Sequence, residues 1–330
     1  MRLPAFDFLE PRSLPEACAI LAANQADACL LSGGTDLLVL MKQRVVTPKR
    51  LVNLKAIPGL SYIEYDARDG LRIGPLTTLS SVAGSEIVKK RFGILSEAAA
   101  RVASPLIRNN ATIGGNVALD SKCWYLNQSA QWRKSFAPCY KRGGDVCHVV
   151  KGGKYCFAVF CPDTVPALMA LGAQLKIISV RGTRMLPVDA FCTGKGEKPN
   201  VLEPDEIISE ISVPEPPGRS GAAFIKLAVR GSIDYALVDV AVALTRAADD
   251  GRCRDAKVVI SAIGPGPVNA TRAAGRLTGR EPGEQDFEAA GAAAVDEARR
   301  VSSVWTSVQY RRRAIKTLVI RAARQAWNNI

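Results

Sequence analysis

Hydrophobic positions follow helical spacing in some segments of the chain and strand-like runs in others. Residues 14–21 carry apolar side chains at helical spacing, and Ser13 with Glu16 forms the capping-box pattern that starts a helix. Residues 28–31 form an apolar run of strand length, and a helical pattern resumes over residues 37–41. Further strands are expected over residues 51–54, 62–65, 71–74, 174–180, 224–229 and 257–263, and further helices over 94–102, 165–171, 284–300 and 303–327.

These helices and strands alternate too irregularly for a doubly wound parallel sheet. The pattern therefore predicts an α+β fold. A chain of 330 residues is long enough for two or three compact units. The proline-rich segment 213–218 is the best candidate for a linker between units.

Four of the nine cysteines lie in one short segment. They are Cys123, Cys139, Cys147 and Cys156, spaced C-x15-C-x7-C-x8-C among aromatic and basic neighbours. Four thiolates are the ligand set of a [4Fe–4S] cluster or of a structural zinc ion. The spacing matches neither the paired knuckles of zinc sites nor the compact ferredoxin run, so it leaves the identity of the metal undecided.

Disulfides are the alternative use of clustered cysteines. Residues 1–20 lack the apolar core of a signal peptide, which predicts a reducing, cytoplasmic location and favours metal binding over disulfides. Export as a passenger on a partner subunit is the exception that this argument allows. Cys161 competes for the fourth ligand position but is left out because an apolar pattern begins just behind it. His148, the only histidine, is interpreted either as a hydrogen-bond donor to the cluster or as a solvated surface side chain.

The chain carries 44 Lys and Arg residues against 31 Asp and Glu residues, a formal net charge of +13. It has no nucleic-acid recognition motif and no apolar run of about 18 residues, so neither a nucleic-acid partner nor a membrane span is expected. A basic surface suits docking of an acidic electron carrier or an acidic subunit. An arginine-rich composition without functional meaning is the alternative explanation.

Two glycine pairs mark candidate sites for an anionic cofactor. Residues 32–36 (SGGTD) follow a predicted strand, and residues 112–116 (TIGGN) form a second polar turn. Glycines let a backbone approach a pyrophosphate closely. Neither segment fits the Rossmann G-x-G-x-x-G pattern or a Walker A motif. The two segments therefore favour a large cofactor held between two loops and argue against a P-loop nucleotidase.

Residues 32–37, residues 111–116 and the pattern Lys226-x3-Arg230-x3-Asp234 resemble the FAD-binding medium subunits of molybdenum hydroxylases, the xanthine and carbon monoxide dehydrogenase family. The resemblance covers essentially the whole chain. It implies a two-subdomain FAD-binding fold of the vanillyl-alcohol oxidase type and a C-terminal α+β domain. The implied divisions are 1–57 for the first FAD subdomain, 58–217 for the second with an iron–sulfur insertion at 121–161, and 218–330 for the C-terminal domain.

The cysteine-bearing insertion and residues 308–313 (VQYRRR) are similar to the β subunit of 4-hydroxybenzoyl-CoA reductase, whereas residues 104–110 resemble the wider family more. This resemblance implies that the four insertion cysteines, Cys123, Cys139, Cys147 and Cys156, ligate a [4Fe–4S] cluster. The cofactor-binding residues that the resemblance implies are Leu30, Leu31, Ser32, Gly33, Gly34, Thr35, Asp36, Leu37, Val102, Thr112, Ile113, Gly114, Gly115, Asn116, Asp163, Leu186 and Lys226.

The resemblance further implies an electron-transfer subunit with no catalytic residues of its own. Electrons would pass from ferredoxin through the cluster and FAD to a [2Fe–2S] small subunit and a molybdenum-cofactor large subunit, which would dehydroxylate an aromatic CoA thioester. The expected assembly is a heterohexamer of two three-subunit units. The main alternative is a xanthine or aldehyde dehydrogenase-like complex in which electrons flow outward. A zinc-stabilised binding protein without flavin is a further alternative.

Overall fold

The structure is a computed structural model that describes residues 2–298, 304 and 306–330. Helices and strands are mixed along the chain, and the described strands form three separate sheets of three, five and four strands. This arrangement confirms the α+β prediction.

A small parallel sheet lies near the N-terminus, with strand order β1-β3-β2. Both pairings are parallel, so all three strands end at the same edge of the sheet. Residues 32–36 follow β2 at that edge and lead into α2. The elements are β1 (Asp7–Leu9), α1 (Leu14–Asn24), β2 (Ala28–Leu31), α2 (Leu37–Lys42) and β3 (Arg50–Asn53), with 3-10 turns at Gln25–Asp27 and Leu54–Ala56.

The start of α1 is capped as the sequence indicates, with one difference. Ser13 Oγ accepts a hydrogen bond from the amide of Glu16 at 3.3 Å. The Glu16 carboxylate accepts from the amide of Arg12 at 2.7 Å, not from that of Ser13 as in a regular capping box. The carboxylate therefore reaches one residue further back and fixes the chain entering the helix.

A five-stranded antiparallel sheet of order β4-β5-β8-β6-β7 forms the second unit. Its strands are β4 (Ile63–Asp66), β5 (Gly70–Ile73), β6 (Gln174–Ser179), β7 (Gly182–Pro187) and β8 (Ile207–Val213). Its helices are α3 (Leu79–Gly84), α4 (Glu86–Arg91), α5 (Gly93–Ala100), α6 (Pro105–Arg108), α7 (Ile113–Val117), α8 (Ala130–Arg133), α9 (Thr164–Ala170) and α10 (Val188–Phe191), with a 3-10 turn at Tyr140–Arg142. The cysteine segment leaves this unit between α7 and α9.

A four-stranded antiparallel sheet of order β12-β11-β10-β9 and three helices form the third unit. The elements are β9 (Ser220–Leu227), β10 (Val238–Arg246), β11 (Cys253–Ser261), β12 (Val268–Asn269), α11 (Thr271–Leu277), α12 (Glu284–Glu297) and α13 (Val308–Asn328). Strand β10 is buried on both faces: Val240 and Val242 pack with the helices of the unit, whereas Ala241 joins the core of the second unit. The third sheet thus packs between its own helices and the five-stranded unit.

Sequence patterns located about half of the described helices and strands and missed the rest. Strands β1, β7, β8, β10 and β12 do not correspond to any predicted strand. Residues 240–244 of β10 form a continuous apolar run because both faces of the strand are covered, so they lack the alternation that identifies a half-buried strand. The predicted helices over 284–300 and 303–327 correspond to α12 and α13, and residues 299–303, where their predicted ends fall, lie outside the described residues.

The predicted turn over residues 112–116 instead follows one short helix, α6, and begins a second, α7. Thr112 caps the second of them, because its Oγ1 accepts from the amide of Gly115 at 3.1 Å. In the part of the chain that the structure describes, no helix is long and apolar enough to cross a membrane.

Two helical glycines provide a test of this packing. A Cβ on Gly291 in α12 would lie 2.8 Å from both Ile320 Cγ1 and Lys316 O in α13, whereas a Cβ on Gly275 in α11 would meet nothing within 4 Å. We expect Gly275→Ala to stabilise the protein by about 0.5–1 kcal/mol through helix propensity. Gly291→Ala should destabilise it by about 1–3 kcal/mol because the helices must move apart. Urea unfolding of both variants measures this, and equal stabilisation would show that close helix packing at Gly291 is unimportant.

Candidate functional site

A cleft of about 520 Å³ lies where the first and second units meet. The loop after β2 forms one wall, and the segment around α7 forms the other. The two walls touch: Thr112 Oγ1 donates to Ser32 Oγ at 3.3 Å, and a Cβ on Gly33 would lie only 2.2 Å from Asn110 O. Gly33 is therefore required by the close approach of the two walls, and its exposed backbone faces the cleft.

Backbone conformation or close packing also requires glycine at Gly34 and Gly114. Gly34 has φ +70°, a left-handed conformation that side chains disfavour, and a Cβ there would crowd Leu31 at 3.1 Å. A Cβ on Gly114 would lie 2.8 Å from the carbonyl oxygen of Pro75. These two glycines therefore allow the walls of the cleft to fold tightly.

Most of the residues proposed from sequence as cofactor contacts line this one cleft. They are Leu30, Ser32, Gly33, Gly34, Thr35, Asp36, Leu37, Val102, Thr112, Gly114, Gly115, Asn116 and Asp163. Leu31, Ile113 and Leu186 do not line it: Ile113 is fully buried in the core of the second unit, and Leu186 packs against that core from β7. Lys226 reaches the site through its contact with Asp163.

The cleft also has walls that sequence reasoning missed. Pro75, Leu202 and Ile208 supply apolar surface from the second unit, and Asp234 and Tyr235 enter from the third unit. Asp234 belongs to the Lys226-x3-Arg230-x3-Asp234 pattern and could have been included on that basis. The others come from distant parts of the chain and carry no motif of their own.

A buried ion pair joins the second and third units beside the cleft. Lys226 Nζ on β9 lies 2.7 Å from Asp163 Oδ2 at the start of α9, and both side chains are at most 7% exposed. Lys226 also donates to the carbonyl oxygens of Arg101 and Asp234, each at 3.0 Å. Burial raises the pKa of Asp163, and the Lys226 charge opposes that rise. The pair therefore fixes a charged side chain in the wall of the cleft.

The cysteine segment is attached directly to the first wall of the cleft. Lys122 Nζ, next to Cys123, forms an ion pair of 2.5 Å with Asp36 Oδ1. Arg133 is buried, and its guanidinium donates to the carbonyl oxygens of Gln43 (3.1 Å) and Arg44 (2.7 Å), just after α2. Two cations of the segment thus hold it against the loop and helix that follow β2.

The four clustered thiols lie in one neighbourhood. Burial raises the pKa of Cys123, the nearby Cys139 and Cys147 add to that rise, and amide donors of Leu126 and Tyr125 oppose it. Within residues 2–298, 304 and 306–330, however, no three His, Cys, Asp or Glu side chains converge closely enough to hold a metal ion. The structure therefore groups the thiols without placing them in ligand geometry.

Cys156 completes this group from the far end of the segment. Burial raises the pKa of its thiol to about 12, and Cys123 is among the charged neighbours that add to the rise. The amide of Ala158 donates to Cys156 Sγ at 3.4 Å. All nine cysteines, each of them within the described residues, are free. Cys161 is separate from the group in that it lines the cleft.

An aromatic cluster lies within this segment. The rings of Trp132 and Phe136 are 4.5 Å apart, and those of Tyr125 and His148 are 5.4 Å apart. His148 Nε2 lies 2.8 Å from the carbonyl oxygen of Ala137. The single histidine is therefore part of the aromatic cluster.

Two glycine loops that face each other across a cleft, beside a separate sheet-and-helix unit, define a protein that binds a dinucleotide cofactor. Residues 4–216 match the family model of the FAD binding domain in molybdopterin dehydrogenase, and residues 223–326 match that of the CO dehydrogenase flavoprotein C-terminal domain. The chain belongs to this family of FAD-binding oxidoreductase subunits, which confirms the predictions of FAD and of an oxidoreductase subunit.

Relatives and solved structures agree with this assignment. The 6-hydroxypseudooxynicotine dehydrogenase complex subunit alpha of Paenarthrobacter nicotinovorans is 29% identical, over 99% of this chain and 96% of its own. The aldehyde oxidoreductase FAD-binding subunit PaoB of Escherichia coli K12 is 32% identical, over 72% and 77%. A carbon monoxide dehydrogenase structure from Hydrogenophaga pseudoflava superposes with a TM-score of 0.81 at 27% identity, over 100% and 99% of the two chains.

The Lys226–Asp163 pair gives a stability test of the site. Lys226→Met should lower the free energy of unfolding by about 3–5 kcal/mol, because it leaves a buried carboxylate without its cation. Lys198→Met is the matched control: Lys198 pairs with Glu203 at 3.1 Å, but both side chains are more than half exposed. That variant should lose less than about 1 kcal/mol. Urea unfolding compares the two, and similar losses would contradict a special role for the buried pair.

Proposed function

We propose that this chain is the FAD- and [4Fe–4S]-binding electron-transfer subunit of a molybdenum-containing complex like 4-hydroxybenzoyl-CoA reductase. The observation that carries the proposal is the four-cysteine segment, residues 121–161, built onto the wall of the flavin cleft. Lys122 and Arg133 attach that segment to the loop and helix after β2. A thiol-rich segment tied to a flavin site is suited to exchanging electrons with it.

The residues around the cleft fit FAD. The backbone of residues 32–37 would hold the pyrophosphate, and residues 112–116 would form the opposing loop, because Gly33 and Gly115 let the two loops approach closely. Asn116 Oδ1 accepts from Thr164 Oγ1 at 2.7 Å and so anchors the second loop to α9. Apolar side chains such as Leu202 and Ile208 would exclude water from the rest of the cleft. Bound FAD would supply the exchange of one or two electrons.

The segment around the four cysteines fits an iron–sulfur cluster in its chemistry. It supplies four sulfur donors and amide groups that donate to Cys123 and Cys156. Such hydrogen bonds are a means by which proteins tune cluster potentials. Lys141, whose side chain is 7% exposed, lies near Cys156 and would offset part of the negative charge of thiolate ligands. Metal binding would deprotonate the thiols and draw the four sulfurs together.

The partners follow from this function. A [2Fe–2S] small subunit and a molybdenum-cofactor large subunit would take the electrons onward, in a heterohexamer of two three-subunit units. The printed names of relatives support an assembly, since they include a dehydrogenase complex subunit alpha and a carbon monoxide dehydrogenase medium chain. A ferredoxin would be the electron donor, and the net charge of +13 suits an acidic carrier.

A second function is favoured by the comparisons. Relatives include the nicotine 6-hydroxylase medium subunit of Paenarthrobacter nicotinovorans, at 27% identity, and several dehydrogenases. In a hydroxylase or dehydrogenase, electrons would flow outward from the substrate. Turnover of the purified complex with 4-hydroxybenzoyl-CoA and reduced ferredoxin would support the reductase, whereas flavin reduction by N-heterocyclic or aldehyde substrates in the absence of ferredoxin would support the alternative.

Cysteine variants test the cluster. We expect Ser replacement of each of Cys123, Cys139, Cys147 and Cys156 to remove or convert a cluster of about four irons, because an oxygen ligand holds iron–sulfur centres poorly. Iron, acid-labile sulfide and flavin contents measure the effect. Flavin should remain bound, since the cleft is formed by other residues.

Two further variants are controls. Cys161→Ala removes the competing thiol, and Cys192→Ala removes a thiol from the end of α10; both should keep iron and sulfide at the level of the parent. Loss of the cluster in Cys161→Ala would mean that the ligand set is wrong. Zinc at one equivalent per chain without sulfide would remove the proposed electron-transfer role of the segment.

A further inference from the structure

Four buried oxygen atoms beside the Lys226–Asp163 pair have no hydrogen-bond partner among the described residues. They are Asp163 Oδ1, Asp239 Oδ1, Asp239 Oδ2 and Ser261 Oγ. Asp239 and Ser261 are 0% exposed, and Asp163 is 4% exposed. Leaving buried polar atoms unpaired is costly, so this concentration in one place needs a physical explanation.

Strand register brings these groups together. Asp239 on β10 lies directly opposite Lys226 on β9 and directly opposite Ser261 on β11. Side chains at opposed positions of an antiparallel pair share a face, and Asp239 shares its face with Ala241, which packs toward the second unit. Asp163 stands on that side, at the start of α9. The four groups therefore form one polar cluster inside the contact between the two units.

The donors of this cluster do not suffice for two carboxylates. An ammonium group has three N–H donors. Those of Lys226 are occupied by Asp163 Oδ2, the carbonyl oxygen of Arg101 and the carbonyl oxygen of Asp234. No donor of Lys226 is left for Asp239. Two carboxylates within hydrogen-bond reach of each other in a dry site cannot both be ionised at low cost.

We propose that Asp163 and Asp239 share a single proton, so that Asp239 donates a hydrogen bond to Asp163 Oδ1 and acts as a positioning residue for the wall of the cofactor cleft. Ser261 Oγ then donates to the remaining oxygen of Asp239, and all four oxygens are satisfied. One shared proton leaves a single negative charge, which Lys226 balances. The expected effect on flavin binding depends on the function proposed above. The shared proton itself depends only on groups within the protein.

Electrostatics agrees with this arrangement. Burial raises the pKa of Asp239 well above its ordinary value, and the neighbouring Asp163 raises it further, while Lys226 lowers it. The other titratable groups that face the cluster are Cys161 and Tyr235, and burial raises the pKa of each. Cys161 is thus a neutral neighbour at physiological pH, and Lys226 is the cation that faces the pair.

The shared proton makes stability fall as pH rises, whereas most carboxyl groups of folded proteins make it rise. Unfolded Asp loses its proton near pH ~3.9, whereas Asp239 in the folded protein keeps it to higher pH. Above pH ~3.9 the folded state therefore binds more protons than the unfolded state, and stability falls as pH rises toward the folded pKa. Asp239→Asn keeps a donor toward Asp163 but cannot titrate, so this fall should be absent.

Infrared difference spectroscopy of the full chain tests the shared proton. Asp239→Asn should remove one protonated-carboxylic-acid carbonyl band at neutral pH and keep the fold and its flavin. Asp205→Asn is the control, because Asp205 is 5% exposed but has an arginine partner, Arg181, at 2.7 Å. It should leave the acid bands unchanged. If no acid band is lost in Asp239→Asn, a water or an ion satisfies the oxygens instead, and the shared proton is refuted.

Thermal unfolding and flavin binding complete the experiment. Between about pH 5 and pH 8, the Tm of the parent should fall relative to that of Asp239→Asn, and parallel curves would overturn the proposal. Asp239→Ala removes the donor, and we expect the flavin Kd to rise about tenfold, against less than about threefold in Asp239→Asn. Loss of the acid band with equal flavin Kd in both variants would refute the positioning role. If the parent protein shows the acid band but binds no flavin, the proposed function is contradicted and the shared proton is not.

Discussion

One buried ion pair fixes the geometry of the contact between the second and third units. Lys226 and Asp163 come from different units and are both almost fully buried. A buried pair of this kind rarely adds net stability over an apolar pair, but losing one member is expensive. Its value here is geometric, because Lys226 also fixes the carbonyl oxygens of Arg101 and Asp234. The same contact that joins the units therefore shapes a wall of the cleft.

A second constraint acts between the walls of the cleft. Gly33 lies so close to Asn110 that any side chain would separate the two loops. Glycine at this position is explained by protein packing alone, and the exposure of backbone to a ligand is a consequence of the same packing. Packing of the two loops and binding of a cofactor thus both require glycine at this position. A glycine pair in the sequence alone cannot show which of the two it serves.

Sequence reasoning located the cleft because its two loops carry local signals. Residues 32–36 lie at a strand-to-helix junction, and Thr112 precedes a glycine pair with a capping side chain. It missed β10 because a strand covered on both faces has no alternation, and with β10 it missed Asp239. The partners of Asp239 are set by strand register and by packing between units. Neither is encoded in a short stretch of sequence, so only the three-dimensional structure shows the cluster.

The arrangement of the cysteine segment bears on the place where electrons would pass between an external carrier and the flavin. Cys156 is buried, Cys139 and Cys147 are half-buried, and the nearby Trp124 is 42% exposed. The thiols of the segment are therefore buried or half-buried, whereas one of its aromatic rings is open to solvent. An electron carrier must approach its acceptor closely, whereas a flavin site benefits from excluding water. A segment that is open outside and anchored to the cleft inside suits a port between an external carrier and the flavin, and the basic surface would draw an acidic carrier toward it.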